Sequence, residues 1–247
     1  EIMNKKEEIL GKIRNGVIIS CQAVEPNPMA TPETLLLFAD CAVMGGCVGF
    51  RANMPQNVKI IKDKYPNYPI IGIWKIVTGD NPVYITPTME AVDTLVSLGC
   101  EIVAMDATNR RNAQGRYAWE LLKEVKEKYP DIVVMADIAT IEDAKIAARE
   151  GADIVATTLS GYTEDTKEKN KTADFELVKA MKAANLGKFI LTEGKIWTRE
   201  DAVKAFECGA DCVVVGTAVT NPWKITERFV ETVKEYQVSK QKHLING

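Results

Sequence analysis

Short apolar runs alternate with longer amphipathic stretches along the chain. The short runs are rich in β-branched residues and lack the polar alternation of a half-exposed strand. This composition is typical of strands that are covered on both faces in a parallel sheet. The pattern predicts strands at Val17–Cys21, Val48–Arg51, Ile70–Trp74, Ile102–Asp106, Ile132–Ala136, Ile154–Thr157, Phe189–Thr192 and Cys212–Val215.

The stretches between these runs have the features of helices with recognisable ends. Thr31 stands before a proline and an acidic residue, as an N-cap does, and Thr140 and Thr198 also precede acidic residues. A Gly-Ala-Asp triplet follows two of the helices, where a glycine suits a left-handed C-cap. The predicted helices are Thr31–Met44, Pro55–Tyr65, Pro87–Leu98, Tyr117–Tyr129, Ile141–Glu150, Asp174–Ala184 and Thr198–Cys208.

The alternation of strands and helices over 247 residues predicts an α/β fold, a single (β/α)8 TIM barrel with eight parallel strands. We expect one domain over residues 1–247, with a lead-in helix within 1–15 and a polar, frayed tail at 238–247. A doubly wound open sheet is the alternative, but no Gly-x-Gly-x-x-Gly follows the first strand. The polar stretch 160–171 predicts a long loop after the sixth strand, of the kind that forms active-site lids.

Composition excludes several classes of function. The net charge of −3 offers no basic excess for nucleic acid, and no apolar run approaches the ~20 residues of a membrane helix. The single histidine, His243, lies in the polar tail, so we expect no metal site, and acid–base chemistry is left to carboxylates, lysines, tyrosines or thiols. The scattered cysteines predict buried, reduced thiols in a cytoplasmic protein. They are Cys21, Cys41, Cys47, Cys100, Cys208 and Cys212.

Polar residues stand at the predicted carboxyl ends of the strands, where TIM-barrel active sites lie. Lys75 ends an apolar strand, so it either reaches solvent or, partly buried, has a lowered pKa and serves as a base or Schiff-base amine. Glu193 is either a general acid/base or a helix cap. Asp106 and Asp137 could each orient Lys75 or bind sugar hydroxyls; the alternative for each is an N-cap or an internal ion pair. The other candidates for substrate binding are Gln22, Arg51 and Thr158.

The ends of the last two strands predict a phosphate site. Gly194 and Lys195 follow the seventh strand, and Gly216 and Thr217 follow the eighth. In many TIM barrels these two loops and a short helix hold a phosphate with their backbone N–H groups. Glycines are also common in turns, so a purely structural role stays open.

Several strings, in a fixed order, carry a family resemblance over about residues 16–228. Each string alone is weak, and the most distinctive is the one from Thr157 to Thr163. Together they resemble the N-acetylmannosamine-6-phosphate 2-epimerase family. The strings are Ile19–Ala23, Gly49–Asn53, Val83–Thr88, Asp106–Thr108, Met135–Ile138, Thr157–Thr163 and Glu193–Ile196.

The resemblance implies a cytoplasmic isomerase of sialic acid and amino sugar breakdown that needs no metal and no cofactor. Such an enzyme binds a phosphosugar and interconverts N-acetylmannosamine 6-phosphate and N-acetylglucosamine 6-phosphate by moving a proton at C2. The family's catalytic lysine and glutamate fall on Lys75 and Glu193. A homodimer is the default expectation for such barrels. The family's other contacts fall on Gln22, Arg51 and Asp137 for the sugar, and on the loops around Gly194 and Gly216 for the phosphate.

Two departures from the family pattern leave alternatives open. The family usually has a basic residue directly after the lysine, where this chain has Ile76, and an arginine where it has Asn221. The alternatives are an epimerase or isomerase of a different phosphosugar, a Schiff-base aldolase that uses Lys75, and a non-catalytic phosphosugar-binding sensor. Retention of both Lys75 and Glu193 favours an enzyme.

Overall fold

A closed barrel of eight parallel strands forms the centre of the protein, as predicted. The computed structural model describes residues 4–167 and 171–245. Each strand pairs with the next in sequence, and the eighth pairs with the first, with Val17 opposite Val213. The strands are β1 (Val17–Cys21), β2 (Gly49–Asn53), β3 (Ile70–Ile73), β4 (Ile102–Asp106), β5 (Val133–Asp137), β6 (Ile154–Ala156), β7 (Phe189–Glu193) and β8 (Cys212–Val215).

Helices cover the outside of the barrel, and each predicted helix is present within three residues of its expected ends. Thr31, Thr140 and Thr198 all act as N-caps, and the last two form capping boxes with an aspartate. The helices are α1 (Lys5–Ile13), α2 (Pro32–Met44), α3 (Pro55–Lys64), α4 (Met89–Ser97), α5 (Glu120–Lys128), α6 (Ile141–Arg149), α7 (Phe175–Ala183), α8 (Arg199–Glu207), α9 (Thr217–Thr220) and α10 (Pro222–Ile245).

Alternate residues of each strand point into the barrel, because side chains alternate between the two faces of a strand. The interior is packed with branched side chains such as Ile18, Ile73 and Ile154 rather than left open. Helix α1 closes the amino-terminal end of the barrel, since Ile9 and Ile13 belong to the same buried cluster. The interior is therefore filled from below, and a cavity can form only at the carboxyl ends of the strands.

The two Gly-Ala-Asp triplets close helix–strand connections at the amino-terminal end. Gly151 and Gly209 have φ of 105° and 112°, a conformation that favours glycine. Asp153 then accepts a hydrogen bond from the backbone N–H of Val134 at 2.8 Å, and Asp211 accepts one from Ile190 at 2.9 Å. Each carboxylate thus ties the start of its own strand to the preceding strand. Each also forms an ion pair, Asp153 with Lys126 and Lys6, and Asp211 with Arg14.

Two expectations about solvent-exposed parts were wrong. The frayed tail is not observed over 238–245, which continue helix α10, whereas residues 246 and 247 lie outside the described residues. Cys41 is exposed, although the other five cysteines are buried as expected.

Residues 160–167 form turns without a helix, in keeping with a loop, and 168–170 of the predicted loop lie outside the described residues. None of the helices within 4–167 and 171–245 is both long and apolar enough to cross a membrane.

The hydrogen bond and ion pairs of Asp153 give a prediction about stability. Asp153→Ala leaves the backbone N–H of Val134 and the ammonium of Lys126 without this partner, and we expect a loss of about 1–3 kcal/mol in the free energy of unfolding. Urea denaturation measures the change. The matched control is Asp63→Ala, which removes an exposed carboxylate that pairs only within its own helix, with an expected change under about 0.5 kcal/mol. Equal effects of the two substitutions would contradict a stabilising role for the contacts of Asp153.

Candidate active site

A cavity of about 300 Å³ opens at the carboxyl ends of the strands. Strands β1, β2 and β7 contribute Ser20, Arg51 and Glu193 to its lining. The structure brings together most of the site residues predicted from the sequence. Those that line the cavity are Gln22, Arg51, Lys75, Thr158, Glu193, Gly194, Lys195, Gly216 and Thr217.

Arg51 lies at the base of the cavity with only 1% of its side chain exposed. Its two terminal nitrogens donate to the two carboxylate oxygens of Asp137, at 3.1 and 2.7 Å. The Nη1 atom also lies 3.0 Å from Oε2 of Glu193. A planar guanidinium holds a carboxylate in this two-bonded manner with a fixed geometry. Arg51 therefore fixes two carboxylates from β5 and β7 on one cation from β2.

The surroundings of Glu193 raise the pKa of its carboxyl group to about 7. Burial makes the largest contribution, because it disfavours the charged form, and the negative charge of Asp137 acts in the same direction. The nearby cations Arg51 and Lys75 and the hydroxyl of Thr158 act in the opposite direction. A carboxyl group with a pKa close to the pH of the cell can both release and accept a proton.

Lys75 is the second titratable group of the cavity, and its pKa is lowered. Burial is the main cause, followed by the positive charge of Arg51, while Glu193 and Asp137 oppose the shift. Its main chain is held by the β2 side chain Asn53, whose Oδ1 accepts the backbone N–H of Lys75 at 2.9 Å. An antiparallel bridge to Ile85 also fixes the chain here. The lysine is thus presented on ordered backbone beyond the end of β3.

Asp137 and Asp106 lie behind the cavity wall. Asp137 is fully buried, and its carboxylate accepts hydrogen bonds from Arg51 and Thr158. Asp106 is bound to Arg110 and Thr108. The described residues that line the cavity include neither aspartate. The internal ion pair, which the sequence left open as an alternative role, is therefore what the structure shows for both.

The loop after β3 explains why Asp106 is separated from the cavity. Residues 83–86 fold back against the end of this strand, with Thr86 donating its N–H to Trp74 and Ile76 donating to Tyr84. The carbonyl of Ile85 then accepts the N–H of Asp106 at 3.0 Å. Because of this insertion, Tyr84 and Ile85 line the cavity on the side where β4 would otherwise face it.

The predicted phosphate residues lie together at the end of the cavity next to β7 and β8. Lys195 has a φ of 57°, which is rare for a residue with a side chain and often marks a functional loop. Its ammonium lies 5.0 Å from the centre of the Tyr162 ring. Helix α9 begins at Thr217, and the hydroxyl of Thr220 donates to the carbonyl of Ser20, which joins this end of the chain to β1.

Sequence reasoning assigned no role to several lining residues. Ser20 on β1 lies two residues before Gln22, which follows the strand, and its hydroxyl accepts a hydrogen bond from the Gln22 amide at 2.7 Å. The alternation of side chains along a strand could therefore have predicted its position. Tyr84, Tyr162 and Trp197 lie in loops, where the sequence carries no such signal. Within the described residues, no group of three or more His, Cys, Asp or Glu side chains has the arrangement of a metal site.

Comparison with known proteins agrees with this geometry. A family model described as "Putative N-acetylmannosamine-6-phosphate epimerase" matches residues 35–235. A "Putative N-acetylmannosamine-6-phosphate 2-epimerase" from Caldanaerobacter subterraneus subsp. tengcongensis is 46% identical over 94% of this chain and 97% of that protein. A protein of the same description from Clostridioides difficile is 41% identical over 92% and 99%. This chain belongs to the N-acetylmannosamine-6-phosphate epimerase family.

Solved structures agree with membership of the epimerase family. The N-acetylmannosamine-6-phosphate 2-epimerase from Clostridium perfringens is 36% identical and superposes with a TM-score of 0.85, over 91% of this chain and 96% of that one. A thiamine phosphate pyrophosphorylase from Pyrococcus furiosus has a TM-score of 0.59 at 16% identity, over 92% of this chain and 98% of that one. The second similarity concerns the barrel fold alone.

The two departures from the family pattern lie in different places. Ile76 and the residues after it up to 83 are not among the described residues that line the cavity, and Val77 is 73% exposed. Asn221 does line the cavity, and its Oδ1 accepts the backbone N–H of Lys224 at 3.1 Å. The first departure therefore changes an outer loop, and the second changes the wall near the predicted phosphate end.

The raised pKa of Glu193 gives a prediction about stability and pH. A carboxyl group with a higher pKa in the folded state than its usual 4.5 stabilises the fold fully below that value, and the contribution is lost as the pH rises through about 7. The wild type should therefore lose stability relative to Glu193→Gln between about pH 5 and about pH 8. Urea denaturation of both proteins at the two pH values tests this. Parallel changes in the two proteins would contradict the raised pKa.

Proposed function

We propose that the protein is an epimerase that interconverts N-acetylmannosamine 6-phosphate and N-acetylglucosamine 6-phosphate. The observation that carries the proposal is the group formed by Arg51, Lys75 and Glu193 at the carboxyl end of the barrel. Its lysine has a lowered pKa and its glutamate a raised one, so both pKa values are shifted toward neutrality, as proton carriers require. The family's name supplies the substrate.

The position of the two groups fits inversion at a carbon atom. Lys75 follows β3 and Glu193 ends β7, and these strands are four apart in a closed barrel of eight. The two side chains therefore approach a bound sugar from opposite sides. One removes the C2 proton next to the C1 aldehyde of the open-chain sugar, and the other returns a proton to the opposite face. Because the reaction is reversible, each group is the base in one direction and the acid in the other.

Other cavity residues have supporting roles in the proposal. Arg51 places a positive charge where the enolate oxygen develops, and Asp137 holds that guanidinium in place. Gln22 contacts the sugar from β1. The sugar phosphate binds at the end of the cavity next to β7 and β8, to the loops at Gly194–Lys195 and Gly216–Thr217. No metal or cofactor takes part, and the enzyme acts in the cytoplasm.

Proton exchange at C2 tests the proposed activity. The purified protein is incubated with N-acetylmannosamine 6-phosphate in deuterated water, and C2 is followed by proton NMR. We expect N-acetylglucosamine 6-phosphate with deuterium at C2. Lys75→Met and Glu193→Gln should each lower the exchange rate by at least about 10³-fold, because each removes a proton carrier.

The matched controls carry the same substitutions on an outer helix. Lys179→Met and Glu176→Gln change an exposed ion pair on α7 and should leave exchange unchanged. Near-normal exchange in both cavity variants would refute the assignment of the proton carriers. If the wild type binds N-acetylmannosamine 6-phosphate without turnover, a phosphosugar sensor is indicated. If it neither binds nor converts this sugar, its substrate is a different phosphosugar. Covalent trapping by borohydride would identify Lys75 as a Schiff-base amine.

We also propose that the protein is a homodimer through helix α10. Every residue from Arg228 to Gln241 is exposed, although the helix carries apolar side chains at helical spacing, among them Phe229, Val233 and Tyr236. This apolar stripe is uncovered in the single chain, whereas helices in proteins gain most of their stability from packing an apolar face. A second copy offers the same stripe, as two-fold symmetry requires.

Light scattering coupled to size exclusion tests the dimer. The wild type should have twice the mass of the 247-residue chain, and Phe229→Glu should shift the protein toward the monomer, because a charge replaces an apolar contact. Glu231→Lys, which changes the charge on the other side of the helix, is the control and should remain dimeric. A monomeric wild type would contradict the proposal.

A further inference from the structure

Strand β6 ends before its neighbour β7 does. The two strands are in register with Ala156 opposite Leu191, and Ala156 is the last residue of β6. The chain then enters a single 3-10 turn, Thr157–Leu159, whereas β7 continues to Glu193. The proton carrier proposed above therefore lies beyond the last residue with which β6 could pair it.

The side chain of Thr157 takes the place of the missing strand. Its hydroxyl donates to the carbonyl of Glu193 at 2.9 Å and accepts the backbone N–H of the same residue at 3.1 Å. One hydroxyl thus satisfies both backbone groups that the early end of β6 would leave without a partner on this side. The main chain of Glu193 is thus held by a side chain at the point where strand pairing with β6 has ended.

The next residue, Thr158, contacts the carboxyl group itself. Its hydroxyl lies 2.7 Å from Oδ1 of Asp137 and 3.2 Å from Oε2 of Glu193. These are the two carboxylates that share Arg51, and the hydroxyl contacts the same two oxygens as Nη1 of that arginine. A hydroxyl has one proton, so it can donate to Glu193 when that group is ionised, and it can accept from Glu193 and donate to Asp137 when Glu193 is protonated.

We propose that Thr158 is a positioning residue, which holds the Glu193 carboxyl group in place for proton transfer and does not bind the substrate. The proposal rests on the epimerase function proposed above. Because Thr158 also lines the cavity, a direct contact with the sugar is the competing role. A substrate contact acts mainly on KM, whereas a residue that positions a proton carrier acts on kcat and on the titration of that carrier.

The titration of Glu193 depends on titratable groups from several elements. They surround its carboxyl group and all remain in a Thr158 variant, in which Asp137 also loses the hydrogen bond from the hydroxyl. A shift in the titration therefore reports the loss of the hydroxyl from both carboxyl groups. Removal of the hydroxyl takes a donor from the ionised form, so the pKa should rise by about one unit. The groups are Arg51 on β2, Lys75 after β3, Asp137 on β5, Tyr162 after β6 and Cys212 on β8.

Three variants test the proposal. Thr158→Val keeps the shape and removes the hydroxyl, and we expect kcat to fall by about tenfold or more while KM changes by less than about twofold. The pKa that the kcat profile assigns to Glu193 should rise. Thr158→Ser keeps the hydroxyl and should restore most of kcat and the original profile. If Thr158→Val does not fold, Thr158→Ala removes the same hydroxyl and is compared in the same way.

A measurement without substrate separates this proposal from the proposed function. Carbon-13 NMR of labelled glutamate side chains gives the pKa of Glu193 directly, with Glu193→Gln to assign the signal. An upward shift in Thr158→Val and a normal value in Thr158→Ser support positioning even if the wild type turns over no N-acetylmannosamine 6-phosphate. A raised KM with unchanged kcat and an unmoved pKa would overturn the proposal, as would a Val variant that behaves like wild type.

Discussion

The buried charge of Arg51 is the constraint on which the site depends. A guanidinium taken out of water costs several kcal/mol unless carboxylates pair with it, and Asp137 and Glu193 both do so. With Lys75, the cluster contains two cations and two carboxyl groups. A proton that passes from Lys75 to Glu193 leaves the total charge of this cluster unchanged. The same surroundings can therefore accommodate both arrangements of the proton, as a reaction that runs in two directions requires.

Strand parity made much of this site predictable. Along β5 the inward residues are Val133, Met135 and Asp137, and along β7 they are Phe189, Leu191 and Glu193. In both strands the third inward position is a carboxylate, placed where packing ends and the cavity begins. A sequence with short apolar strands and a polar residue at that position therefore predicts both the barrel and the end at which chemistry occurs. The local sequence pattern is enough for this prediction because the barrel repeats one strand–helix unit eight times.

The features that the sequence analysis missed depend on contacts between distant parts of the chain. Asp106 occupies the same inward-pointing position on its strand as Asp137 does. The loop residue Ile85 lies between Asp106 and the cavity, and Arg110 binds its carboxylate. The bridge between Lys75 and Ile85 closes a loop whose sequence shows no strand pattern. Helix α10 was missed for a different reason. No helix was predicted over 222–237, and the polar residues 238–245 at the end of the helix were interpreted as a tail.

Acidic residues at the amino-terminal end of the barrel fasten three pairs of neighbouring strands. Glu101 accepts the N–H of Ile70, as Asp153 and Asp211 do for their own preceding strands, so β3 is fastened to β4, β5 to β6 and β7 to β8. Each fastening joins residues only about 20–30 positions apart, and local contacts of this kind favour rapid folding. Each fastened pair belongs to one βαβ unit. A break in the chain between two such units leaves the fastened strands covalently joined, so it should be tolerated better than a break within one.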